Sequence, residues 1–128
     1  MNDDATGFLN KAEESLRTAE TEHLNERYNS CANRAYYACF QAAVAALIQA
    51  GIKSTGQWGH DFVQAQFAGP LIRQRKLYAS ELRDTLIRNL ELRRAADYTP
   101  DPVSEVQALR ALRRARSFVE AVEGVIRS

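Results

Sequence analysis

The sequence has little of what marks β-structure, disulfide scaffolds or flexible linkers. Its 128 residues include three prolines, six glycines and two cysteines, while Ala, Leu, Arg, Glu and Gln dominate. Few residues therefore interrupt helices, and the common residues favour them, so the composition indicates an all-α protein. A chain of this length is typical of one domain, and we expect a single helical domain over residues 1–128.

Long apolar runs and paired cysteines are also missing. The longest apolar run, residues 42–48, is too short to span a bilayer, and the N-terminus "MNDDATGF" is acidic, unlike a signal peptide. Cys31 and Cys39 lie on one predicted helix, too far apart to form a disulfide and without metal-ligand spacing. We therefore expect a cytoplasmic protein with reduced thiols, no membrane segment, no metal site and no cofactor.

Charge is distributed unevenly along the chain. Residues 1–26 carry seven acidic and two basic side chains, whereas residues 70–128 carry eight acidic and twelve basic ones. Fourteen of the seventeen cationic residues are arginines, whose planar guanidinium bonds phosphate bidentately and stacks on bases. An arginine-rich genome gives the same count, so this feature favours nucleic-acid binding without establishing it.

Apolar residues recur every three or four positions, which predicts four long helices and one short one. The first helix carries its apolar stripe over Ala5–Ala19, with Asp3 or Asp4 as the N-cap. The second, roughly Asn25–Ala50, is apolar nearly all round, which indicates burial on several sides, and Gly51 ends it.

The second half of the chain predicts the remaining helices. A short helix, His60–Phe67, is expected to stop at Gly69-Pro70. The next helix has a stripe of Tyr78, Leu82, Leu86 and Leu90 that Arg93 continues, and the last begins with Ser104 and Gln107 spaced as a capping box. Four long helices with short connections predict an antiparallel four-helix up-and-down bundle with an extra short helix.

Three groups of residues are candidates for a site. In the segment "SCANRAYYACF", a polar stripe crosses an otherwise apolar helix and predicts water or a partner on that face; its members are Ser30, Arg34, Tyr37 and Gln41. The alternative is that Arg34 pairs with a carboxylate of a neighbouring helix and that Tyr37 packs at the rim.

The second group is Arg93, Arg94, Asp97 and Tyr98. An arginine that continues a leucine stripe loses solvation unless it is paired or lies near the bundle end, and Asp97 is spaced to pair with either arginine. The third candidate, His60, is either an acid–base group or a capping and packing residue. No phosphate-binding glycine loop, zinc motif or Ser-His-Asp set is present.

Together these segments resemble the HEPN domain (higher eukaryotes and prokaryotes nucleotide-binding). They are similar in particular to the small stand-alone prokaryotic subgroup with an R-A-Y-Y-A helix and an R-x-x-A-D-Y helix end, and the resemblance covers about residues 8–127. It implies a HEPN-like bundle that forms a homodimer and binds RNA. In many members it also implies a metal-independent endoribonuclease toxin, neutralised by a minimal nucleotidyltransferase as antitoxin.

The resemblance also assigns expected roles. The family signature R-x(4–6)-H places its arginine on Arg93, and Tyr98 stands where the histidine is expected. Tyrosine, with an ordinary pKa of about 10, is a poor base at neutral pH. The expected catalytic residues are Arg93, Tyr98, Asp97 and His60. Those expected to bind RNA are Arg34, Tyr37 and Arg94, and Tyr98 is also a candidate acceptor for nucleotidyl modification.

Three functions remain open on this basis. The first is an RNA-cleaving toxin of a toxin–antitoxin or defence module. The second, favoured by the tyrosine at position 98, is a non-catalytic HEPN subunit that binds nucleotide or RNA and regulates a nucleotidyltransferase. The third is a structural bundle in which Arg93 and Asp97 form only an ion pair.

Overall fold

The computed structural model describes residues 2–128. In these residues the regular secondary structure is helical, and there is no strand. In chain order the elements are α1 (Asp3–Leu24), α2 (Tyr28–Gln49), α3 (His60–Gln66), a π-helical segment (Phe67–Gln74), α4 (Glu81–Tyr98) and α5 (Glu105–Ile126). The long helices pack together as the predicted helical bundle, which confirms the all-α fold class. Within the described residues, no helix is long and apolar enough to cross a membrane.

Helix α2 is the centre of the bundle, because it contacts every other element. Small side chains let its neighbours approach closely, and burial on nearly all sides agrees with its all-round apolar sequence. Both cysteines are buried and unpaired, as expected. The buried residues of α2 are Cys31, Ala32, Ala35, Tyr36, Ala38, Cys39 and Ala42–Leu47.

The start of α1 differs from the prediction. Asn2 is the N-cap, since its side-chain oxygen accepts from the backbone N–H groups of Asp4 at 2.9 Å and Ala5 at 3.2 Å. Asp3 and Asp4, which were the predicted caps, lie in the first turn instead, where their negative charge complements the helix dipole. The predicted cap was therefore wrong by one or two residues.

The ends of α2 are set by two residues with positive φ. Glu26, at φ 61°, turns the chain between α1 and α2, so α2 begins at Tyr28 rather than near Asn25. Gly51, at φ 82°, ends the helix as predicted, because glycine adopts this conformation without a steric penalty. The connection between α1 and α2 is only three residues long, so the two helices are antiparallel neighbours.

The short helix does not stop at Gly69-Pro70, and that prediction was wrong. The chain continues through Pro70 as a π-helix, in which the Pro70 carbonyl accepts from the Arg75 N–H at 3.0 Å. Proline lacks an N–H, and its ring clashes with the carbonyl four residues earlier in an α-helix. The wider π turn relieves that clash, so the helix widens instead of ending.

The last helix begins at its predicted position, whereas α4 begins at Glu81, so Tyr78, which the predicted stripe included, lies before the helix. Helix α4 ends at Tyr98, just before the two prolines. Helix α5 begins with the predicted capping box: Ser104 Oγ accepts from the Gln107 N–H at 3.1 Å, and Gln107 Oε1 accepts from the Ser104 N–H at 3.0 Å. The six-residue connection between them places the end of α4 near the start of α5.

Candidate functional site

Three helices bring the candidate residues together around two tyrosines of α2. The ring centroid of His60, the first residue of α3, lies 5.4 Å from that of Tyr36. From α4, the guanidinium carbon of Arg93 lies 6.0 Å from the Tyr36 ring and 5.4 Å from the Tyr37 ring. We call Tyr36, Tyr37, His60, Arg93 and Asp97 the Arg93 cluster.

Arg93 is the most constrained member of this cluster. Its side chain is only 15% exposed, and its Nε lies 3.0 Å from Asp97 Oδ2 while its Nη2 donates to the Tyr37 hydroxyl at 3.3 Å. The Nε–H does not point at the carboxylate, however, so Nε is buried without a hydrogen bond. A charge held in this way is costly. Nη1 has no hydrogen-bond partner among the described residues and, unlike Nε, is not wholly buried, so it is the donor left to bind an anion.

Asp97 and Arg34 extend the cluster through an asparagine. Asn33 Nδ2 donates to Asp97 Oδ2 at 3.2 Å, and Asn33 Oδ1 accepts from Arg34 Nη2 at 2.8 Å and Nε at 3.1 Å. The guanidinium carbon of Arg34 lies 5.3 Å from the Tyr37 ring. Arg34 thus makes amide and cation–π contacts, and within residues 2–128 it forms none of the carboxylate pairs considered from the sequence. Two arginines flank Tyr37.

A hydrogen bond from Tyr36 determines which ring nitrogen of His60 carries the proton. The Tyr36 hydroxyl is hydrogen-bonded to His60 Nδ1, its one partner among the described residues. Tyr36 is wholly buried, and burial raises the pKa of its hydroxyl, which therefore keeps its proton and donates it to Nδ1. The neutral imidazole must then carry its own proton on Nε2. Burial, and next the charges of Arg93 and Arg94, lower the pKa of His60, so this neutral form predominates at neutral pH.

Tyr98 and Arg94 lie at the rim. Tyr98 is the last residue of α4 and is 75% exposed, with its ring centroid 6.0 Å from the guanidinium carbon of Arg93. Arg94 is also exposed. Of the residues singled out from the sequence, the structure brings together Arg34, Tyr37, His60, Arg93 and Asp97, and it leaves Arg94 and Tyr98 open to solvent beside them.

The predicted polar stripe of α2 is not one free surface. The Gln41 amide hydrogen-bonds Ser15 Oγ of α1 at 2.7 Å, and Ser30 lies close enough to Glu22 for their side chains to hydrogen-bond. Both α1 and α4 pack against α2: Gln41 bonds to α1, Tyr37 accepts from Arg93 of α4, and Arg34 bonds to Asn33 of α2 itself. Of the four, Tyr37 belongs to the Arg93 cluster and Arg34 lies against its ring.

Sequence reasoning missed Tyr36 and Asn33. It placed Tyr36 on an apolar face, where the ring does lie, although a buried tyrosine hydroxyl needs a hydrogen-bond partner. That requirement was the available signal. Nothing in the sequence identified His60, 24 residues later, as that partner. Within residues 2–128, no three His, Cys, Asp or Glu side chains are placed to hold a metal ion.

Comparison with known proteins identifies the fold family. No curated protein sequence matches the chain. The family model of the HEPN domain matches residues 5–125, which is nearly the whole chain and includes every residue of the Arg93 cluster. This protein therefore belongs to the HEPN domain family.

Proposed function

We propose that this protein binds RNA and cleaves it without a metal ion. The observation that carries the proposal is the mostly buried Arg93 guanidinium, whose Nη1 has no hydrogen bond among the described residues, in one cluster with His60. HEPN domains are generally RNA-related and often dimerise, which supports RNA as the substrate. Tyr37 of the cluster and the neighbouring Arg34 and Arg94 suit contacts to the phosphates and bases of the strand.

The proposed reaction is a transesterification. The 2′-oxygen forms a bond to phosphorus, the bond from phosphorus to the 5′-oxygen breaks, and the products are a 2′,3′-cyclic phosphate and a 5′-hydroxyl. Arg93 stabilises the charge of the phosphorane, and Asp97 holds the guanidinium in place. The 2′-hydroxyl proton passes to water, and the doubly protonated form of His60 protonates the leaving 5′-oxygen from one ring nitrogen and returns to the neutral imidazole. Tyr98, exposed at the rim, orients the strand or stacks on a base.

An RNA cleavage assay in EDTA tests this function. Wild-type protein is expected to cleave total RNA, whereas Arg93→Ala should lose activity by about 100-fold or more, the usual cost of removing a group that stabilises transition-state charge. His60→Gln should also lose activity.

The chain offers matched controls for both variants. His23→Gln changes a histidine of α1, and Arg113→Ala changes an exposed arginine of α5, so both should retain activity. If wild type and Arg93→Ala leave RNA equally intact, the protein is not a nuclease of this kind.

As the biological setting, we propose a toxin–antitoxin or defence module in which a minimal nucleotidyltransferase neutralises the protein. The exposed Tyr98 suits modification: its hydroxyl would attack the α-phosphate of ATP and release pyrophosphate. The attached phosphodiester would then lie beside Arg93 and compete with RNA for it. Incubation with ATP and a minimal nucleotidyltransferase should add the mass of AMP to wild type and not to Tyr98→Phe. Equal labelling of both forms would exclude Tyr98 as the acceptor.

The second candidate is a non-catalytic subunit that binds RNA or nucleotide and regulates a nucleotidyltransferase. It is favoured by the hydrogen bond from Tyr36, which leaves neutral His60 as a donor and leaves one chain without a base for the 2′-hydroxyl. Under this alternative, wild type binds RNA without cleaving it, Arg93→Ala weakens that binding, and a transferase co-purifies with the protein.

A further inference from the structure

A second basic feature lies between α4 and α5, away from the Arg93 cluster. The two helices enclose a cleft of about 340 Å³ whose charged lining is Arg88, Glu91, Arg110 and Arg114. Three guanidinium groups and one carboxylate give this lining a formal net charge of +2. Arg93 follows Arg88 by five positions, which turns it about 140° around the helix, so the cleft and the cluster lie on different faces of α4.

A buried amide orients one of these arginines. Asn89 is wholly buried, and its Oδ1 accepts from Arg114 Nε at 2.8 Å while its Nδ2 donates to the Ala111 carbonyl at 3.1 Å. The amide is thus satisfied on both sides, which makes a buried polar group tolerable in a helical core. Arg114 is held by its Nε, and its two Nη groups have no hydrogen-bond partner among the described residues.

The charges of the cleft are not balanced within the chain. None of Arg88, Arg110 and Arg114 forms an ion pair in residues 2–128, although five other arginines do. Burial lowers the pKa of Arg114, and the charges of Arg88 and Arg110 lower it further, so the groups are close enough to repel each other. An anion between them would relieve this repulsion.

We infer that the α4–α5 cleft binds a phosphate group, either from the backbone of an RNA strand or from a free nucleotide. Guanidinium groups bond two phosphate oxygens at once, and here one guanidinium is already oriented by Asn89. The site goes beyond the proposed function, because it involves neither Arg93 nor His60 and does not depend on cleavage.

Two probes distinguish the sources of phosphate. The first is a fluorescent single-stranded 2′-O-methyl RNA, which cannot form the cyclic phosphate and so stays intact, measured by anisotropy. The second is ATP without metal, measured by calorimetry. Both are titrated into the full chain as wild type, Arg88→Ala and Arg110→Ala. Arg113→Ala is the control, since it removes the same charge from α5 outside the cleft.

Arg110→Ala and Arg88→Ala should each weaken binding of the responsible probe about tenfold, the value of a hydrogen bond to a charged group. For RNA, the slope of log K against log salt should also fall by about 0.7 per lost contact. A loss confined to RNA identifies the strand as the ligand, and a loss confined to ATP identifies the nucleotide.

Arg114→Lys tests the orientation by Asn89, because it keeps the charge and removes the Nε contact, and it should also weaken binding. Equal weakening by Arg113→Ala and Arg110→Ala, or no weakening in either, would overturn the site. Circular dichroism confirms that each variant is folded. Loss of cleavage in Arg93→Ala with phosphate binding intact would leave this site standing, so the two proposals fail separately.

Discussion

At the scale of single residues, Arg93 is a charged residue at a position where the helix pattern predicts a buried apolar one. Leu82, Leu86 and Leu90 precede it on the same stripe, and each side chain is at most 8% exposed. Arg93 follows them into the bundle without a hydrogen bond to its Nε. Such a residue lowers stability, and proteins commonly accept that loss where the residue serves a function.

Replacing Arg93 by leucine should therefore stabilise the protein while it abolishes RNA cleavage. Arg93→Leu completes the apolar stripe, and Asp97 keeps its hydrogen bond from Asn33, so we expect the free energy of unfolding to rise by about 1 kcal/mol. Urea denaturation measures the change. Arg94→Leu, at the exposed neighbouring position, should give no such gain. A less stable Arg93→Leu protein with unchanged RNA binding would indicate a purely structural ion pair.

His60 predicts opposite effects of pH on activity and stability. Its pKa is lowered in the folded state, so the doubly protonated acid forms only below the ordinary pKa of about 6.5, and cleavage should rise as the pH falls through the folded-state pKa. The same shift means that the unfolded chain binds the proton more readily. The stabilising contribution of neutral His60 is fully present above about pH 6.5, and it is lost as the pH falls through the lower pKa that His60 has in the folded state.

Melting temperatures measured against pH for wild type and His60→Gln would show this contribution. The wild-type curve should fall more steeply below pH 6.5. Parallel curves would mean that His60 titrates alike in the folded and unfolded states.

At the scale of helices, two serines test how much a side-chain cap contributes here. Ser104 caps α5 in a complete capping box, whereas Ser80, at the same position of α4, makes no capping hydrogen bond. Ser104→Ala should lower the free energy of unfolding by about 1 kcal/mol, and Ser80→Ala should leave it nearly unchanged. Thermal or urea denaturation of the pair measures the difference. Equal losses of unfolding free energy in the two variants would mean that the hydrogen bonds of the capping box add nothing to the effect of removing a serine hydroxyl.

Local patterns predicted those parts of the fold that depend on neighbouring residues. The capping box at Ser104 and the pairing of Arg93 with Asp97 lie within one helix, so sequence spacing was enough to identify them. The π-helical segment was missed because a proline has two outcomes, an ended helix or a widened one, and tertiary packing selects between them. The bond between Tyr36 and His60 depends on how α3 docks on α2, which no local pattern contains.

At the scale of the whole molecule, the proposed cleavage predicts a homodimer with a shared cleft. HEPN domains often dimerise, and a two-fold axis would bring two copies of the cation and the acid to the same strand. Light scattering at the concentrations used for cleavage should give twice the mass of one chain. A monomer that still cleaves RNA would exclude a shared cleft.

Mixed dimers give a sharper measurement. Arg93→Ala and His60→Gln subunits, each inactive alone, should regain part of the activity when they are mixed and allowed to exchange, because one partner supplies the cation and the other the imidazole. Arg93→Ala mixed with itself is the control. If mass measurements show that the subunits exchange and cleavage still does not recover, both groups of a working site must come from the same chain.

The central position of α2 also has a consequence for motion. Its backbone amides become accessible to solvent only if α1, α4 and α5 separate together, so their hydrogen exchange should report opening of the entire bundle. Helix α3 has seven residues, of which only Val63 is buried, so we expect its amides to exchange at a lower free energy of opening than those of α2. The Arg93 cluster would then join two tyrosines on the most stable helix to a histidine on a helix that opens before the rest of the bundle does.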